Sequence, residues 1–222
     1  MKKLIRGIVR FHNTVRPGYR ETFARLALGQ KPDALFICCS DSRVAPNLFA
    51  STDPGDLFVV RNVGNMIPPA LADGRSSADE SEAAAIEFAL LQLNVKDVIV
   101  CGHSECGAMQ ALLEGPAPAG APNLAAWLRH GGESLRRLGA GPAPDPGMPR
   151  HNQLSQLNVL TQLEHLRSYG HVREREQAGT IRVHGWWFDI AQAEVRAYEP
   201  ALGQFIPIDE AEAARLLERM ET

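Results

Sequence analysis

Three short apolar runs constrain this chain more than any other feature. ALFIC (34–38), LFVVRN (57–62) and DVIVCG (97–102) are too short for helices and lack the polar alternation of a strand with one wet face. The turn signal Asp53-Pro54-Gly55-Asp56 precedes the second run. DESEAAAIEFALLQLN (79–94), with alanines and leucines at helical spacing, precedes the third. Continuous apolar strands alternating with helices predict an α/β fold, a mainly parallel central β-sheet with flanking helices. TIRVHGWWFDI and EVRAYEP, within residues 180–200, read as two more strands joined near Ala191-Gln192, adding an antiparallel edge strand.

The other segments arrange themselves around that sheet. Residues 1–30 have a helical pattern broken at Pro17 and form an N-terminal helical arm expected to pack on a neighbour. SECGAMQALLEG (104–115) predicts a helix stopped by Gly115 and Pro116. Residues 115–150 are a Pro/Gly-rich insertion around one modest helix, NLAAWLRHGGESLRRL, with no core of its own. HNQLSQLNVLTQLEHLRSY (151–169) predicts a long amphipathic helix, and DEAEAARLLERME a closing one capped by Asp209. Residues 1–222 are expected to make one domain. A net charge of -3 gives no support for a nucleic-acid or anionic-membrane partner. No apolar run approaches the ~20 residues of a membrane span. The basic start is interrupted by Arg6 and Arg10, which favours a cytoplasmic protein over a secreted one.

Open α/β sheets bind ligands beyond the carboxyl ends of their strands. Two such ends carry reactive side chains: CCSDSR after ALFI, and CGHSECG after DVIV. In extended backbone Cys39, Asp41 and Arg43 project one way and Cys38 the other. His103 and Cys106, three apart at a strand-to-helix turn, face one direction. Cys39, His103 and Cys106 thus make a Cys2His set for zinc with one coordination position open, as catalytic sites have. Asp41 is the neighbouring base, fixed by a forked ion pair with Arg43. Other readings stand beside this one. GHSEC resembles a nucleophile elbow with Ser104 as nucleophile, although Cys106 replaces its second glycine. A cysteine nucleophile activated by His103 is another, and cysteines as small apolar filler a third. Filler is the expectation for Cys38 and Cys101. His184, beside Trp186 and Trp187, reads as a packed interior histidine, and Asp79, Glu80 and Glu82 as partners of a helix N-terminus.

CSDSRV (39–44), FVVRNVGN (58–65), AAIEFAL (84–90) and CGHSECGAM (101–109) together resemble the beta-class carbonic anhydrases, with support from NVLTQLEHLRS (158–168) and HGWWFDI (184–190). The resemblance spans about residues 29–208, excluding most of 114–150. It implies one zinc ion per chain on Cys39, His103 and Cys106, with Asp41 and Arg43 as the carboxylate–guanidinium dyad. The implied reaction is reversible hydration of carbon dioxide to bicarbonate and a proton by a zinc-bound hydroxide. Gln30, Phe58, Val63 and Phe88 match the substrate pocket, Phe58 and Val63 being contributed by the partner subunit. Phe88 stands where the family usually has tyrosine. The resemblance further implies a homodimer or dimer of dimers, with carboxysome association open as well as free cytoplasm. Hydrolysis of CS2 or COS on the same zinc is the alternative activity, and a non-catalytic zinc scaffold the alternative class. Members of the family that close their site with Asp41's counterpart resemble one another in a Trp three residues before the first zinc cysteine. Here that residue is Phe36, beside the retained Arg61, so an open, plant-like site with Asp41 paired to Arg43 is expected.

Overall fold

The computed structural model describes residues 1–115 and 120–221; residues 116–119 of the Pro/Gly-rich segment lie outside them. The three apolar runs are β1 (Ala34–Cys39), β2 (Leu57–Asn62) and β3 (Asp97–His103), followed by β4 (Arg182–Asp189), β5 (Glu194–Glu199) and β6 (Gln204–Pro207). They form one sheet in the order β2-β1-β3-β4-β5-β6. The first four strands pair in parallel, and β5 and β6 add antiparallel neighbours. The sequence predicts one antiparallel strand where there are two. β6 has four residues, too few to show a period.

The arm comprises α1 (Lys2–Arg10) and α2 (Arg16–Leu26), joined by a π-helical turn at Phe11–Val15. Pro17 does not break it, because proline sits in the first turn of α2, where no intrahelical N–H is needed. Neither helix buries a residue, and Leu4, Ile5, Ile8 and Val9 are exposed. Next come α3 (Pro46–Phe49) and α4 (Ser81–Glu87), the latter running into a π-helical turn at Phe88–Gln92. The helix expected from 104 begins later, as α5 (Gly107–Glu114), because Glu105 takes a left-handed backbone (φ 55) incompatible with a helix interior. The single helix expected at 123–138 is two, α6 (Pro122–Leu128) and α7 (Gly132–Ala140), separated by a 3-10 turn at Arg129–Gly131. The chain closes through α8 (Arg150–Ser168), α9 (Gly170–Gln177) and α10 (Glu210–Glu221).

Alternation along the strands divides the core. Leu35, Ile37, Val98 and Val100 face α4 and α8 and pack with Ile86, Leu90, Val159, Leu163 and Trp187. Phe36, Cys38, Ile99, Cys101 and Phe188 make the smaller cluster on the other face. A third cluster gathers at the carboxyl ends of β1 and β3 and joins Cys39 and Cys106 to Met66, Met109, Leu128, Leu138, Leu154 and Leu157. The 115–150 segment therefore does contribute to a core, and that core surrounds two of the cysteines.

Helix α8 lies on β3 and β4 at close range. A Cβ on Gly102 would stand 2.7 Å from Val159 Cγ2, and one on Gly185 3.0 Å from Leu163 Cδ1. Its buried face is not wholly apolar, since Asn152, Ser155, Gln156, Asn158, Thr161 and Gln162 are all buried.

Candidate metal centre and active site

Cys39 ends β1 and His103 ends β3, in strands that pair directly. The left-handed turn at Glu105 swings the chain so that Cys106, the N-cap of α5, comes back beside them. The two Sγ atoms and a ring nitrogen of His103 lie within 4.8 Å of one another, and all three residues are buried. One ion can reach all three.

The donor chemistry supports a soft divalent cation. His103 Nδ1 is 2.8 Å from the carbonyl of Ser104. A carbonyl only accepts, so Nδ1 carries the proton and Nε2 presents a lone pair. That Nε2 is buried without a hydrogen-bond partner. An orphaned buried nitrogen beside two sulfurs is costly in a folded protein and ordinary in a metal ligand, whose other ring N–H is typically held in this way. The Gly64 N–H donates to Cys39 Sγ at 3.3 Å. A hydrogen bond from Cys106, with help from Gly64, holds the Cys39 thiol far below its ordinary range; the same bond, followed by burial, pushes Cys106 up. One proton is thus shared between two neighbouring sulfurs, and a cation bound between them would take that proton's place and let both serve as thiolates. These residues fit zinc: two sulfurs and one nitrogen, with a tetrahedral position left over.

Asp41 and Arg43 are joined as expected. Arg43 Nε donates to Asp41 Oδ1 at 2.9 Å and Nη2 to Oδ2 at 2.7 Å, and the Arg43 backbone N–H adds a third bond at 3.0 Å. The Arg43 guanidinium holds the Asp41 carboxyl well below the usual carboxylate range. Arg43 Nη2 also donates to the Glu105 carbonyl at 2.9 Å, tying the loop after β1 to the loop after β3.

Arg61 is engaged by backbone. It donates to the carbonyls of Cys39 (3.1 Å), Asp41 (2.7 Å) and Val44 (2.9 Å), and so clamps the first ligand loop. Phe36 packs between Phe49 and Trp186 on the opposite sheet face.

The expected pocket residues divide. Phe58 and Phe88 stack with ring centroids 5.8 Å apart, and Val63 follows β2. Val63 is 42% exposed and Phe88 44%. Gln30 lies elsewhere on the chain, exposed, in a surface cavity of about 640 Å³ with Phe23, Leu26, Pro54 and Gly55. Among the described residues, none of the cysteines lines that cavity.

Other expectations change in detail. Ser104 is buried, and its Oγ accepts from the Ile190 N–H at 2.8 Å. The strained residue of the turn is Glu105, so Ser104 does not occupy the elbow that a serine nucleophile requires. Glu82 lies in the first turn of α4 as expected, and it is also buried, with its Oε1 accepting from Asn62 Nδ2 at 3.1 Å. His184 bonds Asp97 Oδ1 at 2.8 Å, so it is a half-buried hydrogen-bond partner of that carboxylate. Cys38 and Cys101 face each other across β1 and β3, both fully buried.

Several supporting residues escape sequence reading. Asn152 Oδ1 accepts from the Glu105 N–H at 2.8 Å and holds the left-handed turn. Ser155 donates to the His103 carbonyl at 2.7 Å, and Asn158 to the Gly64 carbonyl at 2.9 Å. Their spacing of three along one helix face was the available signal.

Comparison with known proteins agrees with this geometry. The family model described as carbonic anhydrase matches residues 34–195. A carbonic anhydrase of Synechocystis sp. is 39% identical over 207 residues, covering 93% of this chain and 74% of that protein. One from Pseudomonas aeruginosa is 36% identical over 210 residues, covering 95% and 93%. The structure of the beta-carbonic anhydrase CcaA superposes with a TM-score of 0.84 at 39% identity, covering 93% of this chain and 98% of that one. A beta-carbonic anhydrase of Sordaria macrospora, described as tetrameric, gives 0.74 at 28% identity, covering 88% and 95%.

Proposed function

Because this chain belongs to the beta-class carbonic anhydrase family and is a carbonic anhydrase, we propose that its reversible hydration of carbon dioxide runs on a zinc ion held by Cys39, His103 and Cys106. The observation that carries the assignment is the unpartnered, fully buried Nε2 of His103 beside two cysteine sulfurs. Zinc bound there supplies a Lewis acid that generates a nucleophile from water near neutral pH.

The protein's part is to orient and to exclude. Asp41 is ionised and gripped on both oxygens by Arg43. Its carboxyl lies far below neutrality, so it serves as a fixed hydrogen-bond acceptor that orients the attacking water and does not store the proton. Arg43 spans both ligand loops, so the acceptor and the ligands keep one geometry. The Arg43–Asp41 fork supports an open resting site near neutral pH, and Arg61, spent on three loop carbonyls, fits that reading. Bicarbonate then inhibits as product, without cooperativity.

Carbon dioxide is apolar, and Phe58, Val63 and Phe88 form an apolar wall suited to it, with Gln30 donating to an oxygen. Gln30 and this wall are brought to one pocket by a second copy of the chain. The exposed apolar face of α1 and the unpaired edge of β2 are the surfaces a second copy covers, in a homodimer or dimer of dimers.

Stopped-flow carbon dioxide hydration with parallel metal analysis tests the reading. One zinc per chain is expected, with hydration lost on chelation and regained on zinc addition. Cys39→Ala, His103→Ala and Cys106→Ala should each lose the metal. Full zinc in Cys106→Ala, or hydration that survives complete zinc removal, refutes it.

A further inference from the structure

We infer that Trp127, in the Pro/Gly-rich segment, is a positioning residue for the ligand Cys39 and acts on it through a single peptide group. Trp127 Nε1 donates to the Val63 carbonyl at 2.7 Å. The Gly64 N–H donates to Cys39 Sγ at 3.3 Å. The Val63 C=O and the Gly64 N–H are the two ends of one planar peptide unit. The indole N–H, that peptide and the sulfur therefore form a chain of two hydrogen bonds in series. Donation at the carbonyl polarises the amide and strengthens its donation at the other end.

The surroundings make the relay stiff. Gly64 has φ 81, and Asn65 follows at φ 46, so the turn is tight. Asn62 brackets it by bonding both the N–H and the C=O of Met66, at 2.7 and 2.8 Å. Asn158 fixes the next carbonyl, that of Gly64, at 2.9 Å. With the neighbouring peptides pinned, the Trp127 bond sets the rotation of the 63–64 unit and hence the aim of its N–H. A Cβ on Gly64 would stand 3.0 Å from both Ala108 Cβ and Met66 Cε, so the turn has little room to drift. The Trp127 ring packs against the cluster that contains Cys39 and Cys106. Val63, in the expected substrate wall, is held by the same bond.

N–H donation to a thiolate draws charge from the sulfur, which changes how firmly it binds a metal and how much it donates to it. Trp127 thus gives the 115–150 segment a place in the reaction that its composition does not reveal. The inference rests on the zinc assignment above.

Trp127→Phe keeps an aromatic ring, though a smaller one, and removes the donor. Two readouts do not depend on turnover: the rate of zinc transfer to a chromogenic chelator, and the thiolate-to-metal charge-transfer band of cobalt-substituted protein. Zinc release should accelerate about three- to tenfold, as expected for one hydrogen bond lost, and the cobalt band should shift. Leu135→Ala, which truncates a residue of the same cluster that makes no bond to this turn, should lower the melting temperature and leave the band in place. Independently of any variant, the Trp127 indole N–H of wild-type protein should exchange with solvent more slowly when zinc is bound than after chelation. Wild-type zinc release with an unshifted band in Trp127→Phe overturns the inference and leaves the zinc assignment standing. So does indole exchange indifferent to zinc, should the variant fail to fold. A wild-type chain that takes up no zinc overturns the assignment itself.

Discussion

Replacing Gly102 by alanine puts one carbon into space that α8 already fills. The added Cβ would lie 2.7 Å from Val159 Cγ2 and 3.2 Å from both Ser155 Oγ and Trp187 Cδ1. Carbon atoms prefer separations of about 3.5–4.0 Å, so Val159 is roughly 1 Å too close. Valine in a helix has one strongly preferred rotamer, so it cannot swing aside. Relief must come from α8 moving off β3. That movement stretches the 2.7 Å bond from Ser155 to the carbonyl of His103, the next residue and a proposed ligand. Overpacking of this kind costs about 1–3 kcal/mol, and the weakened hydrogen bond adds about 1 kcal/mol. At ~2–4 °C per kcal/mol for a chain of this size, the melting temperature should fall by roughly 5–15 °C. Denaturant unfolding of zinc-loaded protein, followed by circular dichroism, reads the cost. Adding Val159→Ala reopens the space, so the double variant should be at least ~1 kcal/mol more stable than the sum of the two single effects requires. Gly102→Ala within about 0.5 kcal/mol of wild type, or two costs that simply add, would show that the close approach of helix and strand is not what the glycine is for.

Ser104→Ala should keep zinc and carbon dioxide hydration, while the Ile190 N–H loses its acceptor at a cost of about 1 kcal/mol. Abolished turnover in a folded, zinc-loaded variant would restore Ser104 as a nucleophile. Burial pushes the Asp97 carboxyl up, but bonds from Arg182 at 2.8 and 2.7 Å and from His184 at 2.8 Å outweigh it and hold the group well below the usual carboxylate range. A carboxyl depressed on folding stabilises the native state fully above its unfolded pKa of about 4, and that contribution is lost as pH falls toward the native value. The stability gap between wild type and Asp97→Asn should therefore shrink as pH falls below about 4; a gap that does not narrow in acid contradicts the sign.

The parallel core was legible because β1 and β3 are buried on both faces, which leaves continuous apolar runs that helices cannot mimic at that length. Cys39, His103 and Cys106 were legible because they stand at the ends of those runs. The start of α5 was not: a left-handed Glu105 is unusual for a non-glycine, and what holds it there is Asn152, 47 residues away. Glu82 was legible as a helix-start acid, but spacing cannot show that Asn62 would reach it across the fold. Helix α8 showed its period, but a period does not say whether the buried side is greasy or carries hydrogen bonds. Trp127 sat in a segment whose prolines and glycines suggested a bare insertion, while its partner lies in the turn after β2. The match of Gln30 to the pocket came from resemblance alone, and the cavity that Gln30 lines within one chain has no cysteine in its wall.

Helix α8 fastens two separate stretches of the chain at four points from a single side: Asn152 holds Glu105, Ser155 holds His103, Asn158 holds Gly64, and Gln162 holds the Ile67 N–H at 2.7 Å. All four work only in one rotational setting. One residue added or removed within the helix turns everything beyond it by about 100° and shifts it by 1.5 Å, so every later fastening misses its partner at once. The same change made ahead of Arg150 leaves the setting untouched. A residue added among the prolines and glycines between α7 and α8 would therefore spare all four fastenings.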